Sequence, residues 1–202
     1  MVDLMPATSR LLGPAASRLA DTVCSIIATD GLDAVTVREV ASGAGVSIGA
    51  VQHHFPSKDD MLLAAFRHVV DNTEHRVAAV ELGTDVRQNL AAILRELLPL
   101  DEVRLREAKV YVAFAARAAT SAPLAEVQRG MLARITTELA DAVASGAEQR
   151  GRTLSKAGAR REAEMLLAVT DGLTFDAVTS GQQPDGRRLG ALLDTYLRRV
   201  ID

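Results

Sequence analysis

Residues 36–62 read TVREVASGAGVSIGAVQHHFPSKDDML, and the spacing of hydroxyl, glycine and apolar positions in this stretch decides the fold. Thr36 stands three residues before Glu39, the capping-box spacing that opens a helix. The helix that follows, Val37 to about Gly43, turns Val37, Val40 and Ala41 toward one side. Gly45 supplies a turn, and Ser47 caps a further helix of about seven residues that runs through His54 or Phe55. Pro56 stops it. Ser57 caps the next helix, with Asp59 and Asp60 in its first turn, where carboxylates meet the positive end of the helix dipole. Two short helices joined by a tight turn make a helix-turn-helix, a unit too small to be stable without support from its neighbours.

That support is predicted on both sides. A first helix from about Pro14 to Asp30 carries Leu19, Val23, Ile26 and Ile27 on its apolar face and ends at Gly31, a residue tolerant of left-handed geometry. A long fourth helix reaches about Ala79 or beyond. After Gly83 come five amphipathic segments, broadly 85–98, 101–119, 122–148, 156–180 and 187–200, punctuated by Pro99, Pro123, Gly151 and the turn around 181–184. The last two are the most apolar. Met165, Leu166, Val169, Leu173 and Val178 line one, and Leu189, Leu192, Leu193, Tyr196 and Val200 the other. They read as ordinary core or as a helical dimer seam. No segment alternates as a strand does. The expected fold is all-α: an N-terminal three-helix helix-turn-helix domain over 1–60 (recognition helix about 47–55), a connecting helix over 61–82, and a helical bundle over 83–202.

Composition bounds the function. The chain has 202 residues, 48% of them hydrophobic, with a formal net charge of −3. Residues 1–76 hold six Lys and Arg against nine Asp and Glu, so blanket electrostatics cannot supply affinity for nucleic acid. All four histidines, His53, His54, His68 and His75, fall in this segment and add positive charge at mildly acidic pH. The single cysteine, Cys24, sits among apolar residues, excludes an internal disulfide and fits a reducing cytoplasm. No uninterrupted apolar run of about 20 residues suggests a membrane span, and no secretory signal is expected. No cofactor is implied, no catalytic pair is visible, and the histidine spacings suit no metal: His53 and His54 diverge by about 100° and His68 and His75 are about 10.5 Å apart in rise.

The helix after Ser47 is built of small and polar residues: Ile48, Gly49, Ala50, Gln52, His53 and His54. Gly49 and Ala50 permit close approach to another surface. Gln52 and His53 suit base edges, Gln pairing with adenine and His donating to guanine acceptors, and a major groove admits such a helix. Thr36, Ser47 and Lys58 stand at helix starts, where hydroxyls, backbone N–H groups and an ammonium grip phosphates.

Arg18, Gly31, Thr36-Val37-Arg38, Val40-Ala41, Ala44-Gly45-Val46-Ser47, Gly49, His54-Phe55 and Lys58 stand at the spacing of TetR-family regulators, and residues 18–66 resemble that family's DNA-binding signature. One departure is Gln52, where the family usually has an aromatic residue, most often Tyr. Carried over by position, Thr36, Ser47, Gly49, His53, His54 and Lys58 match residues that meet DNA, while Ala44, Val46, Val51 and Phe55 match the small core. Arg38, Ile48, Ala50 and Gln52 complete the expected DNA-binding set. For His54 a role bracing the fourth helix is the alternative.

The resemblance further implies that residues 83–202 bind a ligand and dimerise. The stretch LLAVTDGLTFDAV, residues 166–178, is similar to the choline-responsive BetI-type subset. An aromatic cage for choline has little to draw on here, since this half offers only Tyr111, Phe114, Phe175 and Tyr196. Effector candidates are polar and aromatic residues that intrude on apolar faces: Tyr111, Phe114, Arg117, Asp171 and Phe175. Asp171 is read equally as a buried inter-helix hydrogen bond or part of a subunit seam. Arg187-Arg188 and Arg198-Arg199 read as solvated faces. The expected protein is a cytoplasmic homodimer, joined through its last two helices, that binds a double-stranded DNA operator and is released by an unidentified small molecule. A ligand-independent architectural DNA binder and a helical enzyme are the rival readings.

Overall fold

The computed structural model describes residues 12–202; residues 1–11, the start of the expected first domain and the segment read for a signal, lie outside them. Among the described residues there are nine α-helices and no strand. They are α1 (Pro14–Asp30), α2 (Val37–Ala44), α3 (Ile48–His54), α4 (Lys58–Ala78), α5 (Val86–Arg95), α6 (Glu102–Ala118), α7 (Ala122–Glu148), α8 (Lys156–Thr179) and α9 (Gly186–Ile201). A single 3₁₀ turn at Leu32–Ala34, which the sequence reading lacks, joins α1 to α2.

The local chemistry explains the boundaries. Gly31, at φ +82°, and Gly45, at φ +66°, end α1 and α2 in backbone geometry that L side chains rarely adopt. Thr36 Oγ1 accepts from the Glu39 N–H at 3.2 Å, and Ser47 Oγ accepts from the Ala50 N–H at 3.2 Å. At the start of α4 the arrangement is reciprocal: the Asp60 N–H donates to Ser57 Oγ at 3.1 Å, while Asp60 Oδ2 accepts from the Ser57 N–H at 3.0 Å.

The chain divides into two compact units. One holds residues 12–72 and 106–129; the other holds 73–105 and 130–202. The α4, α6 and α7 helices each contribute to both.

In the first unit Leu19, Val23, Ile27, Val40, Val51, Phe55, Met61 and Leu62 are buried together under the helix-turn-helix. The α1 and α2 helices approach so closely that a Cβ on Gly43 would meet Thr22 Cγ2 at 2.9 Å. The α6 segment closes the underside. Phe114 stacks on Phe66 with ring centroids 3.9 Å apart, and Tyr111 stacks on the same ring at 6.5 Å. Polar ties surround this stack. Arg106 donates to Asp21 at 2.9 Å and to Ser25 at 3.2 Å, and Lys109 donates to the Ala28 carbonyl at 2.7 Å, near the negative end of α1. Arg117 grips both carboxylate oxygens of Asp59 at 2.9 and 3.2 Å, and the Ser121 hydroxyl donates to the same group at 3.0 Å.

In the second unit Leu90, Leu94 and Leu98 pack with Leu139, Val143, Leu166, Leu193, Leu197 and Ile201 in one apolar cluster. Arg150 ties Asp85 (2.9 Å) to Asp202 (2.6 Å), and Glu96 accepts from both Arg76 and Arg104 at 3.1 Å. The α8 and α9 helices divide the apolar residues read from sequence between two faces. Leu166, Leu189, Leu193 and Val200 are buried, whereas Met165, Phe175 and Leu192 are 53, 54 and 42% exposed.

Candidate nucleic-acid interface

The α3 helix sorts its side chains by depth. Val51 is fully buried and anchors α3 to the unit's core, which leaves Ser47, Ile48, Gly49, Gln52, His53 and His54 exposed and Ala50 half-buried. Thr36 and Arg38 are exposed at the start of α2. The outward set is almost entirely hydrogen-bonding or small, the composition that suits a surface meeting base edges and phosphates rather than another protein core. A Cβ on Gly49 would meet nothing nearer than Ser47 Oγ at 3.9 Å, so this position leaves backbone open to close approach.

The histidines stand apart from the core. The rings of His53 and His54 meet edge to face at 5.4 Å, and His54 lies 6.2 Å from the Phe55 ring, which is itself buried. Lys58 is exposed, and its ammonium donates to the Asp33 carbonyl at 3.3 Å, linking the start of α4 to the 3₁₀ turn. Among the described residues no group of His, Cys, Asp and Glu is placed to hold a metal ion. None of the described helices is long and apolar enough to cross a membrane.

One residue departs from its expected place. Val46 was assigned to the small core, yet it is 42% exposed beside Ser47. The reason is local: the Val46 N–H closes the end of α2 by donating to the Ala41 carbonyl at 3.0 Å, and Gly45 in left-handed geometry turns the chain outward before α3 begins.

The residues expected to meet a small molecule belong to different units. Tyr111, Phe114 and Arg117 lie in the first unit, and Asp171 and Phe175 in the second. Phe114 has no exposed surface and serves the stack on Phe66, and Arg117 is committed to Asp59. Phe175 stands on the exposed face of α8. Tyr111 and Asp171 are half-buried. Sequence reasoning missed Arg106 and Lys109, whose partners are 81 to 85 residues away and give no local signal.

Comparison with known proteins agrees with this geometry. Residues 21–65 match the family described as bacterial regulatory proteins of the tetR family, and residues 86–202 match the C-terminal domain of BetI-type transcriptional repressors. The HTH-type transcriptional regulator BetI of Burkholderia ambifaria is 30% identical over 190 residues, spanning 92% of this chain and 93% of its own. The crystal structure of a transcriptional regulator from Rhodococcus sp. Rha1 superposes with a TM-score of 0.80 at 42% identity, over 92% of this chain and 95% of that one. A candidate regulator from Saccharomonospora viridis, solved in complex with choline, shares the fold with a TM-score of 0.79 at 24% identity, over 91% and 95% of the two chains. A helix-turn-helix with an outward polar face and a C-terminal helical bundle are thus matched over both parts of the chain. The chain belongs to the TetR family of DNA-binding transcriptional regulators, with a C-terminal domain of the BetI type.

Proposed function

We propose that this regulator works as a homodimeric repressor that presents two copies of α3 to successive major grooves of an operator and leaves it when a small molecule binds. The observation that carries the reading is the sorting of α3, with Val51 inward and Gln52, His53 and His54 outward. Base readout is assigned to Gln52 and His53, with Ile48, Gly49 and Ala50 nearest the groove and Thr36, Arg38, Ser47, His54 and Lys58 toward phosphates. The two-fold partner is assigned to α8 and α9. Met165, Ala168, Gly172 and Phe175 recur at helical spacing on an exposed face of α8, and Leu192 is exposed on α9. Exposed apolar stripes of this kind mark contacts with another chain.

The working division is a DNA-binding domain to about residue 60, the α4 helix as connector, and a ligand-binding and dimerisation domain from 83 onward. Tyr111 and Asp171 remain the effector candidates. Release follows if the ligand favours a subunit spacing that mismatches half-sites about 34–36 Å apart, or multiples of that. The protein is placed in the cytoplasm, where its DNA is. Selecting bound fragments from a random library with the full chain tests the reading. A two-fold symmetric site with that half-site spacing is expected. Sequence-insensitive binding with a steep salt dependence would instead indicate an architectural role.

A further inference from the structure

The polar face of α3 carries an apolar exception. Val46 and Ile48 flank the N-cap Ser47 on either side, and they are 42 and 50% exposed. Both are branched side chains that keep about half of their surface outside the core. They stand at the N-terminal end of the recognition helix, the end that enters a major groove. Around them the surface is made of hydroxyls, an amide, imidazoles and open backbone.

A major groove offers an apolar side chain one apolar group, the C5-methyl of thymine. Exposed aliphatic carbon at the leading end of the helix gains nothing from phosphates, and it opposes binding wherever it covers an unsatisfied base edge. The setting sharpens the point, because the segment's acidic balance leaves discrimination to a few short-range contacts. The geometry points to Val46 and Ile48 as thymine-methyl readers, so that the operator carries thymine where the N-terminus of α3 meets it and specificity there rests on a methyl contact. This inference rests on the assignment of α3 as the recognition helix. It adds two apolar specificity residues, one of which the sequence had assigned to the core.

Deoxyuridine differs from thymidine only by lacking that methyl, so it separates this contact from hydrogen-bond readout. The full chain is first used to select its operator from a random library. The recovered duplex is then made with deoxyuridine at each thymine in turn, and affinities are measured by gel shift. Loss of about fourfold per contacted methyl is expected for the wild type, confined to one or two thymines of each half-site. In Val46→Ala/Ile48→Ala the same substitutions should change affinity by less than about twofold, with the thymine duplex itself bound more weakly. Wild-type helix content and a cooperative thermal transition, expected because both side chains are about half exposed, show that the variant's fold is intact. If deoxyuridine leaves wild-type binding unaltered, if the double variant keeps full methyl sensitivity, or if the selected half-sites lack thymine, the inference is overturned. Specific binding to the selected duplex would still stand in each case, and only failure to select any site counts against the recognition helix itself.

Discussion

Gln52 and His53 are exposed on α3 while Val51 is buried, so truncating either removes polar groups without opening the core. Both substitutions to Ala should therefore leave the melting temperature within about 1 °C while reducing affinity for the selected operator by about 10-fold or more. Their affinity for random duplex should hardly change; equal losses on the two duplexes would count against base readout. Lys58 behaves differently because its ammonium already holds the Asp33 carbonyl. Lys58→Ala should weaken specific and random binding alike and flatten the salt dependence, and unchanged affinity on both would remove its phosphate role. Cys24 is the opposite case, a buried thiol that donates to the Ala65 carbonyl at 3.6 Å. Burial pushes its pKa up to about 12, with the Arg106 charge opposing the rise. A raised thiol pKa favours the folded chain fully at pH below the unfolded value near 9.0, and that contribution is lost as pH climbs toward 12. Alkylation by a thiol reagent at pH 8 should thus proceed only at the rate of unfolding, and rapid reaction of the folded protein would contradict the assignment.

At the scale of elements, what the sequence displays is what is local. The caps at Thr36, Ser47 and Ser57 each lie within three residues of their partners, so α2, α3 and the start of α4 are readable from spacing alone. The five later helices are marked by Pro, Gly and apolar period in the same way. The ties that hold α6 against α1 and α4 are invisible at that range, since Arg106, Lys109 and Arg117 reach partners 58 to 85 residues away. Arg117 reads as a ligand contact because a cation on an apolar helix suggests one, and its pairing with a carboxylate at the start of α4 lies 58 residues beyond local reach. Val46 failed for a related reason, as apolar character predicts burial only where the backbone turns inward. The Arg117 contact holds the Asp59 carboxyl below its ordinary 3.8, with the Ser121 hydroxyl assisting and partial burial opposing. A depressed carboxylate pKa stabilises the fold above the unfolded value and ceases to do so as pH falls through the folded one. Arg117→Met should lower stability at pH 7, modestly for so exposed a pair, and the difference from wild type should vanish in acid well below 3.8. Urea denaturation at the two pH values reads this directly. A deficit that persists in acid would assign Arg117's contribution to packing instead.

For the whole molecule, the proposed dimer makes the coupling of two weak half-site contacts the decisive quantity. The acidic balance of residues 1–76 makes one copy of α3 a poor ligand for DNA, and joining two copies converts the second contact into an intramolecular event. The exposed stripe on α8 is where that coupling is assigned, and Gly172 lies within it with nothing inside 4 Å of a Cβ placed there. An arginine at this position has room in the isolated chain, so Gly172→Arg should fold, with helix propensity favouring the change. It would carry a bulky charge into the proposed seam, between the exposed Met165 and Phe175. Sedimentation at micromolar concentration should then show a wild-type dimer and a mutant monomer with the same helix content. Affinity for a two-half-site operator should fall on the order of 100-fold in the mutant, while affinity for a single half-site should match that of the wild type. A Gly172→Arg protein that remains dimeric would place the two-fold partner on another face. One that becomes monomeric yet keeps full operator affinity would show that a single α3 suffices, against the electrostatic argument from the acidic N-terminal segment.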